Sequence, residues 1–179
     1  VYSQVTQRFD SVTPDMEDPK ELKKFLELIR SLSAKGAILA YHDRSDGGLA
    51  AALCEMMFAS HVGVEIVADA LVSKDRTLNQ ALFNEELGAV IQVARGRAAE
   101  VERDFEAAGM GWSLKYLGNL TQDDHLNIYL EGKCVLSEDR VDLQKAWNEV
   151  SWQIARMRDN PECADSEYAL ISDKHNGGL

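Results

Sequence analysis

From Asp43 to Gly48 the chain reads DRSDGG, and an almost wholly apolar stretch, LAAALCEMMFAS, follows directly. A glycine-containing turn that leads from a strand into a helix points free backbone N–H groups and the positive end of the helix dipole at one place, which suits an anion. Gly47 and Gly48 let the backbone approach a phosphate closely, Ser45 supplies a hydroxyl donor, and Asp46 suits the helix cap. Asp43 has a different logic. A carboxylate repels a polyphosphate unless a divalent cation lies between them, and magnesium takes oxygen ligands from one or two carboxylates, phosphates and water. Asp43 is therefore the candidate metal ligand, and Ser45, Gly47 and Gly48 are the candidate nucleotide contacts. A plainer reading stands beside this one: Asp43 and Ser45 as turn formers, Asp46 as an ordinary cap, and glycines chosen for positive φ. Spacing alone does not separate the two, because the stretch is not a phosphate-loop or dinucleotide motif. His42 reads as a base or a strand-end hydrogen bonder, and Arg44 as a phosphate contact or a solvated turn residue.

LFNEELG, residues 82–88, is the second polar concentration. Asn84, Glu85 and Glu86 either line the same cleft, contribute to a metal shell, or form an acidic loop before a strand. His61, His125 and His175 show no ligand spacing. Cys54, Cys134 and Cys163 are odd in number and lack a C-x-x-C pair, which argues against a zinc knuckle or a disulfide framework and for reduced thiols in a cytoplasmic protein. None sits in a nucleophile elbow, so thiol amidotransferase chemistry is not expected in this segment and no residue is assigned as catalytic.

The elements that position these residues follow from periodicity. Asp18-Pro19-Lys20-Glu21 is a capped helix start, with Leu22, Phe25, Leu26 and Ile29 on one face and a stop near Gly36. Residues 37–42 read as a buried strand, the stretch after Gly48 as a helix packed on more than one side, and VGVEIVA as a strand. A short helix around 75–83, the strand AVIQVA and a helix ending at Gly109 come next. WSLKYLGNL and HLNIYLEG read as paired strands joined by the turn Thr121 to Asp124, with KCVLSE as a short third strand. A helix from about Arg140 to Arg158 carries Leu143, Trp147, Val150, Ile154 and Met157 along one face, and the remainder has no periodicity. The fold class is α+β, a mixed sheet covered by helices.

Nineteen Lys and Arg against thirty Asp and Glu give a net charge of -11, which argues against nucleic-acid binding. No apolar run approaches the roughly 20 residues of a membrane span, and VYSQVTQRFD is not a signal peptide. With 45% hydrophobic residues in 179, one core is the default. The expected organisation is a lead-in from a preceding domain at 1–17, the domain proper at 18–158, and a linker at 159–179.

HDRSDGGL, followed by ALFNEELGAVIQV, LSEDR before a Trp-containing helix, and RDNPECADSEY, resembles the large bacterial-type phosphoribosylformylglycinamidine synthase family over essentially the whole chain. HDRSDGGL alone resembles the wider aminoimidazole ribonucleotide synthetase superfamily; the NEELGAVIQV and RDNPECAD segments are the more specific. The resemblance implies the second C-terminal-type synthetase domain of an ATP-dependent carbon–nitrogen ligase of purine biosynthesis with glutamine as amido donor. It further implies that Asp43 binds magnesium and Ser45 contacts ATP or ADP at an auxiliary, structural nucleotide site. The partners it implies are the remaining domains of the same polypeptide, including a glutaminase domain, while the segment alone is expected to be inactive and prone to self-associate. Two alternatives stay open: the turn lines the catalytic ATP pocket, or the segment is a purely structural interaction domain.

Overall fold

The structure, a computed structural model, describes residues 1–7, 14–16 and 18–173. His175 and parts of the expected lead-in and linker lie outside the described residues. In chain order the elements are α1 (Tyr2–Thr6), α2 (Pro19–Ala34), β1 (Ile38–Asp43), α3 (Gly48–Ser60), β2 (Gly63–Val67), α4 (Leu78–Leu82), β3 (Ala89–Val93), α5 (Ala98–Ala107), β4 (Gly118–Thr121), β5 (His125–Leu130), β6 (Lys133–Asp139), α6 (Arg140–Arg158) and α7 (Pro161–Leu170). The architecture is α+β, as the sequence predicts. The chain divides into two compact units, residues 1–52 with 76–116 and residues 53–75 with 117–179.

In the first unit, the Asp18 side chain accepts the Lys20 N–H at 2.9 Å and Pro19 occupies the first helical position, so α2 starts where the sequence predicts. Its Leu28 and Leu32 are buried with Ala37, Val101, Phe105 and Met110, and Phe25, Ile29, Ile38, Ile91 and Val93 pack around them. Burial of each large apolar side chain contributes roughly 1.5–3 kcal/mol. β1 and β3 pair antiparallel, with Tyr41 opposite Ile91 and Asp43 opposite Ala89. That pairing brings the residues after β1 beside those before β3.

The second unit holds a sheet of order β4-β2-β5-β6. Here the expected hairpin is corrected: of WSLKYLGNL only its last three residues are strand, in β4 (Gly118–Thr121), and β4 and β5 do not pair with each other. β2 lies between them, antiparallel to β4 and parallel to β5. A short link normally implies direct pairing, but β2 is an apolar strand whose two edges both need partners. The link can arch over the start of β2 because residue 63 is glycine: a Cβ there would collide with Thr121 Oγ1 and Asp123 Oδ1. Asp123 stiffens the arch, its Oδ1 accepting from the Thr121 hydroxyl at 2.6 Å and its Oδ2 from Asn127 Nδ2 at 3.2 Å. β5 and β6 form a hairpin through Glu131 and Gly132, both at positive φ, as a two-residue turn of the primed type requires.

α6 begins at Arg140, where Asp139 accepts the N–H groups of Val141 and Asp142. Much of its apolar face is exposed among the described residues: Trp147, Val150, Ile154 and Met157 are 59, 68, 49 and 81% exposed, with the Trp147 ring meeting Phe58 at a centroid distance of 5.9 Å. The stretch after α6 is also not aperiodic throughout. Asn160 caps α7 through the Glu162 N–H at 2.9 Å, Pro161 takes the first position, and the helix packs on α6. Trp152 stacks on Tyr168 with ring centroids 4.2 Å apart and donates from Nε1 to Asp165 at 2.9 Å. Asn160-Pro161-Glu162 is the same start signal as Asp18-Pro19-Lys20, here followed by a helix whose apolar residues, Cys163, Ala164, Tyr168, Ala169 and Leu170, fall all round it and show no period.

Candidate functional site

β1 alternates half-buried and exposed residues, and the alternation continues into the turn. Tyr41, Asp43 and Ser45 are exposed, whereas His42 and Arg44 are half-buried. Asp43, the last residue of β1, and Ser45, in the turn after it, are thus both accessible, whereas Arg44 between them is held against the loop that precedes β3. Burial and, after it, the Asp43 carboxylate push the Tyr41 hydroxyl above its ordinary range, so Tyr41 stays a neutral donor near that carboxylate. The His42 ring donates from Nδ1 to the Asp43 carbonyl at 2.7 Å, a local bond.

Gly47 and Gly48 have φ of 80° and 69°, the left-handed region that favours glycine. At Gly48 the second reason is space: a Cβ would stand 2.7 Å from the Asn84 carbonyl oxygen and 2.8 Å from that of Leu82. The Gly48 N–H donates to the Ser45 carbonyl at 2.9 Å, and the Gly47 N–H donates to Glu85 Oε1 at 3.0 Å. These first amides of the turn are satisfied by Ser45 and Glu85. Glu85 Oε1 also lies 3.2 Å from the Val1 amino group. The bond from Gly47, against an opposing effect of burial, holds the Glu85 carboxyl below the usual range.

Arg44 does not face the accessible side. Its backbone N–H donates to the Gly88 carbonyl at 2.8 Å, its Nε to the Glu86 carbonyl at 2.6 Å and its Nη2 to the Leu87 carbonyl at 3.0 Å. Burial and then Arg76 lower its pKa, opposed by Glu86. The Glu86 N–H is held by Asn84 Oδ1 at 2.7 Å. Residues 82–88 thus lie against the turn, and the sequence held no signal that Arg44 would bind that loop's backbone.

Among the described residues no group of three or more His, Cys, Asp or Glu side chains could hold a metal by itself. The exposed oxygen donors at the turn are the carboxylates of Asp43 and Asp46 and the hydroxyl of Ser45. That set fits magnesium only where phosphate oxygens and water complete the octahedron, which is how magnesium is commonly held. Cys54 offers no activated thiol, since burial and then Glu55 push it up to about 11. No helix among the described residues is long and apolar enough to cross a membrane.

Comparison with solved structures gives a shared fold. The chain is similar to Thermotoga maritima PurL complexed with FGAR, with a TM-score of 0.62 and 16% identity, covering 72% of this chain and 21% of that one. It is similar to PurLQS from Thermotoga maritima at a TM-score of 0.61 and 16% identity, covering 70% and 22%. It is also similar to a chain of the HypE-HypF complex, with a TM-score of 0.57 and 20% identity, covering 77% and 46%. The chain thus spans about a fifth of the length of the PurL structures it matches. A family model, AIR synthase related protein, C-terminal domain, matches residues 1–131. With most of its length matched by that model, this chain belongs to the AIR synthase related protein C-terminal domain family.

Proposed function

We propose that the chain is part of a phosphoribosylformylglycinamidine synthase and contributes one wall of an auxiliary magnesium–nucleotide site. The observation that carries this reading is the exposure of both Asp43 and Ser45 where β1 ends in a turn of two left-handed glycines. Asp43 would bind magnesium and Ser45 would donate to a nucleotide phosphate, with the ADP serving a structural role. When bound, the magnesium screens the phosphates from the Asp43 carboxylate. The whole enzyme would convert formylglycinamide ribonucleotide, ATP and glutamine to formylglycinamidine ribonucleotide, ADP, phosphate and glutamate in the cytoplasm. Other domains of the same polypeptide would supply the glutaminase and the other metal ligands.

Support comes from the fold shared with PurL structures described as complexed with FGAR, ATP and ADP, and from the NEELGAVIQV and RDNPECAD segments. The fold does not choose the chemistry, since HypE shares it.

The test is Asp43→Asn in the natural full-length protein, counting nucleotide retained through purification and measuring amidine formation on the same sample. Lost ADP with a lower melting temperature supports the structural site. Retained ADP with turnover down about 100-fold, a barrier increase of about 2.7 kcal/mol, would move Asp43 to the catalytic pocket. Retention of both ADP and turnover would remove the nucleotide role and leave an interaction domain.

A further inference from the structure

The turn that carries Asp43 and Ser45 is fastened to residues 82–88 from both directions. Arg44, between the two proposed ligand-binding residues, sends its guanidinium to two successive carbonyls, those of Glu86 at 2.6 Å and Leu87 at 3.0 Å, and its own N–H to Gly88 at 2.8 Å. Glu85 reaches back the other way and accepts the Gly47 N–H at 3.0 Å. Beyond the second tie, Gly48 packs against the backbone of Leu82, Phe83 and Asn84 too closely for any side chain.

We propose that Arg44 and Glu85 are positioning residues, which hold Asp43 and Ser45 in a binding geometry through the 82–88 loop and touch neither metal nor nucleotide themselves. The physical argument is alternation of exposure. Half-buried Arg44 is committed to the carbonyls of residues 86–88 while Asp43 and Ser45 on either side of it stay exposed, so fixing Arg44 fixes the backbone from which its two neighbours project. The planar fork suits two adjacent carbonyls, and a lysine ammonium would hold them as a point charge only. Glu85 acts at the other end of the turn, where the Gly47 amide would otherwise be free to turn toward solvent or ligand. A site held within about 0.5 Å by such supporting bonds binds without a reorganisation cost.

This inference rests on the magnesium–nucleotide reading, and the experiment keeps the two apart. Equilibrium binding of Mg-ADP is measured in the natural full-length protein, stripped of nucleotide, for wild type, Asp43→Asn, Arg44→Lys, Glu85→Ala and Glu85→Gln, with the melting temperature of each ligand-free sample. The expected result is about tenfold weaker binding for Arg44→Lys and Glu85→Ala at melting temperatures within a few degrees of wild type. Glu85→Gln keeps an acceptor for the Gly47 N–H and should recover binding to within about threefold, a rescue that a merely destabilised fold would not show. Wild-type binding in Arg44→Lys and Glu85→Ala while Asp43→Asn loses it overturns the positioning role alone. Tighter binding in Glu85→Ala also overturns it, since Glu85 would then compete with the nucleotide. Wild-type binding in Asp43→Asn overturns the nucleotide reading and the positioning role with it.

Discussion

Arg140, 1% exposed, grips Asp124 at both side chain and backbone: Nε meets Oδ1 at 2.6 Å, Nη2 meets Oδ2 at 3.1 Å, and the Arg140 N–H donates to the Asp124 carbonyl at 2.9 Å. Gln144 Oε1 takes Nη1 at 2.6 Å. Asp124 stands at φ 58°, a conformation a non-glycine residue adopts at a cost, and the Arg140 bonds hold it there. The pair closes the arch from β4 to β5 onto the start of α6. Asp124→Ala should cost about 3 kcal/mol, because it leaves a buried guanidinium without its counter-charge. Arg140→Met should cost about half as much, since the partly exposed Asp124 carboxylate can turn to water. Urea unfolding of the two variants measures the order.

Gly48 and Gly96 make a matched pair for a second prediction. A Cβ at residue 48 meets backbone at 2.7–2.8 Å with φ at 69°, whereas one at residue 96 meets nothing within 4 Å. Gly48→Ala should destabilise by about 3 kcal/mol, combining left-handed strain with a displaced 82–88 backbone. Gly96→Ala should lie within about 0.5 kcal/mol of wild type. Thermal unfolding of both proteins checks the contrast.

Glu85 gives a pH dependence whose sign follows from its hydrogen bond. The Gly47 N–H is the largest cause holding the carboxyl below its ordinary 4.5. A carboxyl with a depressed folded-state pKa contributes stability that is fully present above that ordinary value and is lost as pH falls through the folded one. Wild type should therefore exceed Glu85→Gln in stability by its largest margin near neutrality, and the margin should shrink as the pH is lowered toward 3 or so. Denaturant midpoints across that range measure it. A margin that grew on acidification would contradict the Gly47–Glu85 bond.

The α6 face offers the reverse of a core prediction. Val150 and Met157 are 68% and 81% exposed, so Val150→Gln and Met157→Lys should each change the stability of this chain by no more than about 0.5 kcal/mol. Phe105→Ala, at a position of α5 that is 4% exposed and packed in the core with Leu28 and Leu32 of α2, should cost about 3–5 kcal/mol by comparison. Calorimetry on the three variants separates surface from core.

The sequence by itself determined where most helices and strands lie. Local chemistry settles those choices: Asp18 and Asp139 cap their own helices, Gly109 stops α5, and the apolar runs of β1, β2 and β3 show through their patterns. It also determined that Asp43, Ser45, Gly47 and Gly48 would share one turn at a strand-to-helix junction, because neighbours in the chain remain neighbours in space. α7 was missed, since a helix whose apolar residues fall all round it is announced only by its Asn160-Pro161 cap.

Only the tertiary structure decided the rest. Strand order depends on which edges are left to pair, so the insertion of β2 between β4 and β5 is invisible in a link that looks like a hairpin turn. Exposure depends on what lies opposite, so the regular apolar spacing of Trp147, Val150, Ile154 and Met157 does not reveal that all four remain about half or more exposed among the described residues. Arg44 and Glu85 looked like solvent-facing or ligand-facing charges because a residue's type and position do not name its partner. The antiparallel pairing of β1 with β3 sets their partners, bringing two loops about forty residues apart against each other and turning both charges inward onto backbone groups.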